Sequence, residues 1–484
     1  MKAVLEFLTK DEVERIHEAS VRILEETGIR VYSAQVRKLL ADHGASAKDL
    51  IVKIPKGLVE DAITKIRQDV TLAAPDPAYD LRLPSDDSPF VATSGYSPFV
   101  TDYETGNTRG STTSDLAAFA IVSDYLDAVD YFWPIVFPTE VPPVLQEFEA
   151  LAVSLKHTRK HIQCSCSSTR TAHWQIELAS AIVGGKEELK KRPIFSATNA
   201  PIAPLTFEKE ACEAMVMLAS AGIPLVPMTM VLASTTAPAT VAGTLAMANA
   251  EELACLVIIK CANPDAPVIY ASEASVAHKI TGKFNYDSPE YPLLSAGCAQ
   301  LARFYNMPSM VGDVPLEVMP GDLLSLERNV LRVVLAFLTR TDLSAFLGSV
   351  DLASSASLAQ LVVDAEACEH ARAYLRSFDL SEDTLALDII AKVGPGGHFL
   401  GQAHTKNHFR REIWTRGLDE FFILDRSSEN SIPERAVAKV KEILSSCKST
   451  VKFDLAETVE EVARDAREDL WQADGWSFQS EAFS

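Results

Sequence analysis

No run of about 18 uncharged apolar residues stands out in this chain, so nothing in it reads as a membrane span. It does not open like a secretory leader either. MKAVLEFLTKDEVERIH acquires charges before any apolar core could form. Positive charge is in short supply: 45 Lys and Arg stand against 66 Asp and Glu, a formal charge of −21. That balance argues against nucleic acid or an anionic membrane surface as a partner. Cysteine is sparse, with eight residues scattered in 484, and Cys212, Cys255 and Cys298 sit in apolar runs. They read as reduced core thiols of a cytoplasmic protein. No Gly-x-Gly-x-x-Gly follows an early strand, no Gly-x-Ser-x-Gly occurs, and no glycine-rich loop ends in Lys-Ser/Thr. Repeats of fixed period and low-complexity tracts are also missing.

What remains is a chain with ample material for a core, 47% hydrophobic. Its length suits two or three average domains, or one large barrel with extensions. Thr9, Lys10, Asp11 and Glu12 form a capping box, in which hydroxyl and carboxylate satisfy early helix N–H groups. Val13, Ile16, Ile23 and Leu24 recur on one face behind it, and Gly28 supplies a stop. Amphipathic segments follow at 34–43 and after Pro55. Residues 1–84 are therefore expected to form a helical extension with short strands, covering one face of a larger domain.

From about residue 85 short apolar runs alternate with helical patterns. Strands are expected near 90–94, 130–136, 161–166, 193–198, 224–230, 267–272, 308–312 and 344–348. Helices are expected between them, at Ser114–Leu126, Phe207–Ala221, Thr240–Lys260, Pro289–Tyr305 and Leu323–Leu338. Pro193, Pro224, Pro267 and Pro308 each lead a strand, where the missing N–H costs no ladder bond. Eight strand–helix units are the count of an α/β (β/α)8 TIM barrel, here spanning 85–400. An open doubly wound sheet is the alternative. The absent dinucleotide fingerprint weighs against it. Residues 401–484 read as a C-terminal helical tail packed on the barrel.

In such a barrel the chemistry sits where strands end. That rule nominates Ser94, Gly95 and Tyr96; Trp133 and Pro134; Cys166 and Ser167; Thr198 and Asn199; Thr229 and Met230; Ser272 and Glu273; Gly312 and Asp313; Gly348 and Ser349. Aromatic residues gather near the first two strand ends. Tyr96 and Trp133 can offer ring faces to a methylammonium cation, with Asp102, Glu273 or Asp313 supplying charge. Ordinary core packing is the competing reading of these aromatics. Cys164 and Cys166 share a face of their strand, but the spacing matches no common zinc site, and no metal is expected.

One late stretch is punctuated more strongly than any other. Gly394, Pro395, Gly396 and Gly397 in succession force a rigid turn, followed by His398, His404 and His408. The turn could cradle an anion, or it could simply lead into a helix. GPGGHFLGQAHTKNHFRREIW resembles the C-terminal signature of the trimethylamine methyltransferase family of corrinoid-dependent methyltransferases. TDYETGNTRGSTTSDLAAFA, FSATNAPIAPLTFEKEA, AGTLAMANAEELA, NPDAPVIYAS and SPEYPLLSAGCAQLARFY are similar to further segments of that family, in its order.

The resemblance implies the barrel and an enzyme that passes a methyl group from a methylated amine to the Co(I) of a corrinoid (cobalamin) carried by a small partner protein. Family members acting on trimethylamine contain pyrrolysine, whereas this chain has only standard residues. Its segment MVGDVPLEVMPGDLLSLE departs from the Thr-Asp-Ala-Lys type expected in relatives. A quaternary amine such as glycine betaine needs no such activation, since a neutral amine leaves directly. On that basis His398, His404 and Asp313 are the expected catalytic residues. Tyr96, Trp133, Asn199, Glu273 and Asp102 are expected on the substrate, and Gly396 and Gly397 at the cofactor. Homo-oligomerisation is left open. A zinc-dependent methyltransferase and a non-catalytic binding barrel stand as alternatives.

Overall fold

The structure is a computed structural model. It describes residues 4–86, 88–286, 288–312, 333–351, 353–412, 430–446 and 453–473. Eight parallel strands follow one another around a single axis. Seven are Phe90–Thr93, Ile162–Ser165, Phe195–Asn199, Leu225–Thr229, Tyr270–Ser272, Ser309–Val311 and Leu343–Leu347. The second strand, between the first two of these, is reduced to Tyr131 and Phe132, which bridge to Ala92 on one side and Ile162 on the other. Its backbone is pinned by Asp130 N–H to Val91 C=O (2.7 Å) and Phe132 N–H to His161 C=O (2.8 Å). The eighth strand pairs with the first, Leu343 opposite Phe90, so the ring is closed. The expected (β/α)8 barrel is present, and the open sheet is excluded.

The strand sequences explain their positions. Phe195–Asn199, Leu225–Thr229 and Leu343–Leu347 are buried along their whole length, as strands covered on both faces require. The leading prolines take part as acceptors only. Pro224, Pro267 and Pro308 carbonyls accept from Ala197, Leu225 and Tyr270 N–H groups of the neighbouring strand at 2.8–3.0 Å. The expected helices appear as Thr113–Tyr125, Lys209–Ala221, Val241–Ala262 and Glu290–Phe304. The expected helix at 323–338 lies mostly outside the described residues, of which 333–338 are helical. Val241–Ala262 is long and apolar enough to cross a membrane by composition, but 83% of its apolar window is buried in the core.

The N-terminal residues fold as the capping box and glycine stop suggest. Helix Lys10–Arg22 carries the Thr9–Glu12 box and packs on Val241–Ala262. Gly28 has φ +80°, and a Cβ there would meet Val52 O at 2.5 Å, so no other residue fits easily. Strand Ile29–Val31 pairs in parallel with Thr206–Phe207, just beyond the fourth barrel strand. A hairpin, Val70–Leu72 with Leu81–Leu83, closes the bottom of the barrel and shares an apolar cluster with Tyr131, Val226, Ile269, Met310 and Leu343. Its surroundings fix its place: Ala73 C=O bonds buried His161, and Ser85 N–H bonds Asp342, residues that precede strands. At the other end of the chain, helix Phe453–Ala473 lies on Pro143–His157 and Thr169–Val183. Arg467 clamps Glu149 there, Nη2 to Oε2 at 3.0 Å, with both side chains largely buried.

Candidate active site at the barrel mouth

A cavity of about 400 Å³ opens where the strands end. The first six strands and the eighth, through Ala345, contribute described lining residues, as barrel topology dictates. Ser94, Gly95 and Tyr96 follow the first strand and Trp133 the second. Ser165–Ser167 end the third, Thr198–Ala200 the fourth, Met228 and Met230 the fifth, and Glu273 the sixth. Tyr286, Ala211 and Ala353 reach in from the surrounding loops and one helix.

The first wall is an aromatic corner. Gly95 lacks a Cβ, and the Trp133 indole occupies that space: a Cβ would lie 2.6–2.8 Å from three of its ring atoms. Tyr96 holds φ +64°, a left-handed conformation that costs a β-carbon-bearing residue about 1 kcal/mol or more. Its N–H bonds Pro134 C=O at 3.2 Å, and its ring stacks on Phe137 at 4.1 Å and meets Trp133 edge-on at 5.7 Å. The Thr93 hydroxyl joins the Trp133 backbone on both sides, accepting its N–H at 3.2 Å and donating to its carbonyl. The corner is therefore rigid. Two polar atoms in it are buried without a hydrogen-bond partner among the described residues, Tyr96 Oη and Trp133 Nε1. Burial pushes the Tyr96 phenol well above its usual range, so it stays protonated. The Trp133 indole is a donor, and the Tyr96 hydroxyl, which has Trp133 and Thr198 beside it, can donate or accept.

The opposite wall carries the charge. The Glu273 N–H bonds Thr229 C=O at 2.8 Å, continuing the sheet past the strand end. Burial pushes its carboxyl up to about 7. No Lys, Arg or His lines the cavity among the described residues, so the ionised form of Glu273 faces it uncompensated. Tyr286 stands in the same cavity, tilted against Phe284 at 4.2 Å and 35° and edge-on to Tyr291 at 6.0 Å. Asn199 is held by two donations, Nδ2 to Cys166 C=O at 2.7 Å and to Ala211 C=O at 2.9 Å. That leaves its Oδ1 as the free group. The arrangement suits a small cation: aromatic faces, soft methionine sulfurs and one carboxylate, in a concave apolar site.

Of the residues expected on the substrate, Tyr96, Trp133, Asn199 and Glu273 meet in this cavity. Asp102 does not. It caps a surface turn, accepting from Glu104 and Thr105 N–H groups at 3.1 and 2.9 Å, and these bonds hold its carboxyl low. His398 is exposed on the glycine turn, and His404 lies on helix Ala403–Glu412; neither lines the cavity, nor do Gly396 and Gly397. Asp313 lies outside the described residues. Cys166 reaches the cavity, but burial raises both its thiol and that of Cys164. Among the described residues no third metal-ligating side chain joins the two. Tyr286 was missed by the sequence reading. The aromatic-rich segment Phe284–Tyr291, after the sixth strand, was the available signal.

A family model described as trimethylamine methyltransferase (MTTB) matches residues 1–466. The chain is 28% identical over 442 residues to a glycine betaine methyltransferase of Desulfitobacterium hafniense (strain Y51), covering 90% of this chain and 92% of that one. It is 28% identical over 458 residues to trimethylamine methyltransferase MttB of D. hafniense (strain DSM 10664 / DCB-2), with the same coverage. Against MttB of Methanosarcina barkeri the identity is 28% over 408 residues, 83% of this chain and 82% of that one. Among solved structures, the M. barkeri monomethylamine methyltransferase MtmB superposes with TM-score 0.50 at 13% identity, over 98% of this chain and 90% of that one. That likeness shows the fold.

Proposed function

Because this chain belongs to the trimethylamine methyltransferase family and is a methyltransferase, we propose that it takes a methyl group from a quaternary methylammonium, glycine betaine or a near relative, for transfer to the corrinoid of a separate small protein in the cytoplasm. The observation that carries this reading is the content of the cavity: two aromatic residues and one carboxyl pushed up to about 7, with no Lys, Arg or His among the described lining residues. A quaternary ammonium has no N–H to give. It binds by cation–π contact and by nearby negative charge, which Tyr96, Trp133 and Glu273 offer. A betaine also carries a carboxylate, and the Trp133 indole N–H and Tyr96 hydroxyl are donors that could meet it.

A cavity of about 400 Å³ suits a small methylated amine better than a corrinoid macrocycle, so the carrier protein would meet the substrate at the open end. When docked there, the reduced corrinoid supplies the nucleophile that accepts the methyl group. The chain's own residues orient the ammonium, exclude water and hold the leaving amine in line. No residue is needed to remove a proton, because a quaternary nitrogen has none to lose. Asn199 and Gly95 act as walls that set the orientation.

The test is a methyl-transfer assay with reduced corrinoid protein against a panel of methylamines and betaines. Glycine betaine, proline betaine or carnitine-type compounds should be used, and trimethylamine should not. Turnover of trimethylamine alone would overturn the substrate reading.

A further inference from the structure

Outside the cavity, the structure brings Asp383 to His404 and His408, whose spacing of four already places them on one helix face. His404 and His408 lie four residues apart on helix Ala403–Glu412, with their rings stacked at 4.2 Å and 23°. Asp383, on the short helix Glu382–Leu385, faces both. Its Oδ2 lies 3.2 Å from His408 Nε2, and its carbonyl oxygen 2.9 Å from His404 Nε2. One ligand atom from each residue falls within 4.8 Å of the others.

We propose that Asp383, His404 and His408 form a binding site for a divalent transition metal of the zinc class, which staples the short helix before the glycine-rich turn to the helix that follows it. Two imidazoles and one carboxylate are a borderline-soft donor set, with a fourth position left for water. Ligand atoms around a tetrahedral zinc with bonds of about 2.0–2.1 Å stand roughly 3.3 Å apart. The Asp383–His408 pair already has that spacing, and the third atom needs only a side-chain adjustment. Each imidazole would offer Nε2, with its proton on Nδ1. His404 would then exchange its bond to the Asp383 carbonyl for the metal.

A second observation points the same way. Apolar burial does not secure this segment, since Leu387, Ile390 and Leu400 are 68%, 51% and 88% exposed. A metal closing the 21-residue span from Asp383 to His404 would order the turn by restricting its unfolded alternatives. Cys164 and Cys166 belong to the barrel and take no part.

The experiment uses the full chain, purified without chelator and with any polyhistidine tag removed. Zn2+ is titrated in competition with a chromophoric chelator. One equivalent should bind to the parent, and His404→Ala or His408→Ala should each weaken it by about tenfold or more, as loss of a ligand does. His398→Ala, six residues before His404 and outside the cluster, should leave Zn2+ affinity unchanged. Co2+ added to the parent should give the visible bands of a four-coordinate nitrogen and oxygen site, a readout that needs no variant. The proposal fails if the parent binds no better than His404→Ala and His408→Ala, if His398→Ala weakens binding as much, or if Co2+ shows only the spectrum of the hydrated ion.

Discussion

Glu273 offers the sharpest test of the cavity. Its carboxyl is pushed up to about 7 by burial, so it is neutral in mild acid and ionised above neutrality. A cation should bind the ionised form. Affinity should therefore rise with pH through about 7 and level off about one unit above it. If only the ionised form binds, the apparent dissociation constant scales as 1 + 10^(pKa − pH), so moving from pH 8 to pH 6 weakens binding by about tenfold, or ~1.4 kcal/mol. Tetramethylammonium is the suitable probe, because its charge is permanent and it has no carboxylate. Calorimetric titration across roughly pH 5.5–8.5 spans the transition. In Glu273→Gln the affinity should be weak and should not change with pH. A parent that binds equally across the range, or a Gln variant that keeps the slope, would show that Glu273 does not face the bound cation.

Other consequences can be measured independently. Trp133→Ala should weaken substrate use by roughly 1–2 kcal/mol. Trp133→Phe keeps a face but removes the indole donor, so it should hurt glycine betaine more than tetramethylammonium; equal losses would count against a role for the N–H. Gly95→Ala puts a methyl group 2.6 Å from the Trp133 ring, so the indole must shift and the cation affinity should fall in a folded protein, as read by near-UV dichroism and titration. Glu252 is buried on helix Val241–Ala262, where burial raises its carboxyl well above normal. A carboxyl raised in the folded state gives stability that is present below about 4.5 and lost as pH rises through the folded value. Glu252→Gln should thus raise Tm relative to the parent at pH 8 and not at pH 4, and a constant offset would refute the linkage. Arg467→Ala should destabilise the protein by about 3 kcal/mol in urea, by leaving Glu149 buried without its cation.

The barrel was legible because its signals are local. An apolar run followed by a helical pattern says strand then helix, Pro193, Pro224, Pro267 and Pro308 mark the starts of four such runs, and eight runs in succession say barrel. Once that frame is accepted, the strand ends follow, which is why Ser94, Tyr96, Trp133, Cys166, Asn199, Met230 and Glu273 could be nominated and are found around one cavity. What failed to show in the sequence depends on loop conformation. Tyr286 enters through a loop whose path no periodicity encodes. Asp102 looked available for a cation, but Asp-Tyr-Glu-Thr-Gly is also a turn, and the local bonds to Glu104 and Thr105 claimed its carboxylate. The His404 and His408 pair was readable as one helix face. Its partner Asp383 was not, because the helix Leu387–Val393 and the glycine turn lie between them, and no sequence period links their two ends.

The pairing of Ile29–Val31 with Thr206–Phe207 sets an order of events during synthesis. The N-terminal strand emerges long before its partner exists, and the first barrel strand waits longer still for Leu343–Leu347 to close the ring. Until then the young chain presents open apolar edges, the kind that pair with neighbours on a crowded polysome. The cavity draws on strands from the first to the eighth, to which Ala345 belongs, so it cannot form in a chain that stops before Leu343–Leu347. A chain truncated that early should yield material that chaperones hold or proteases clear.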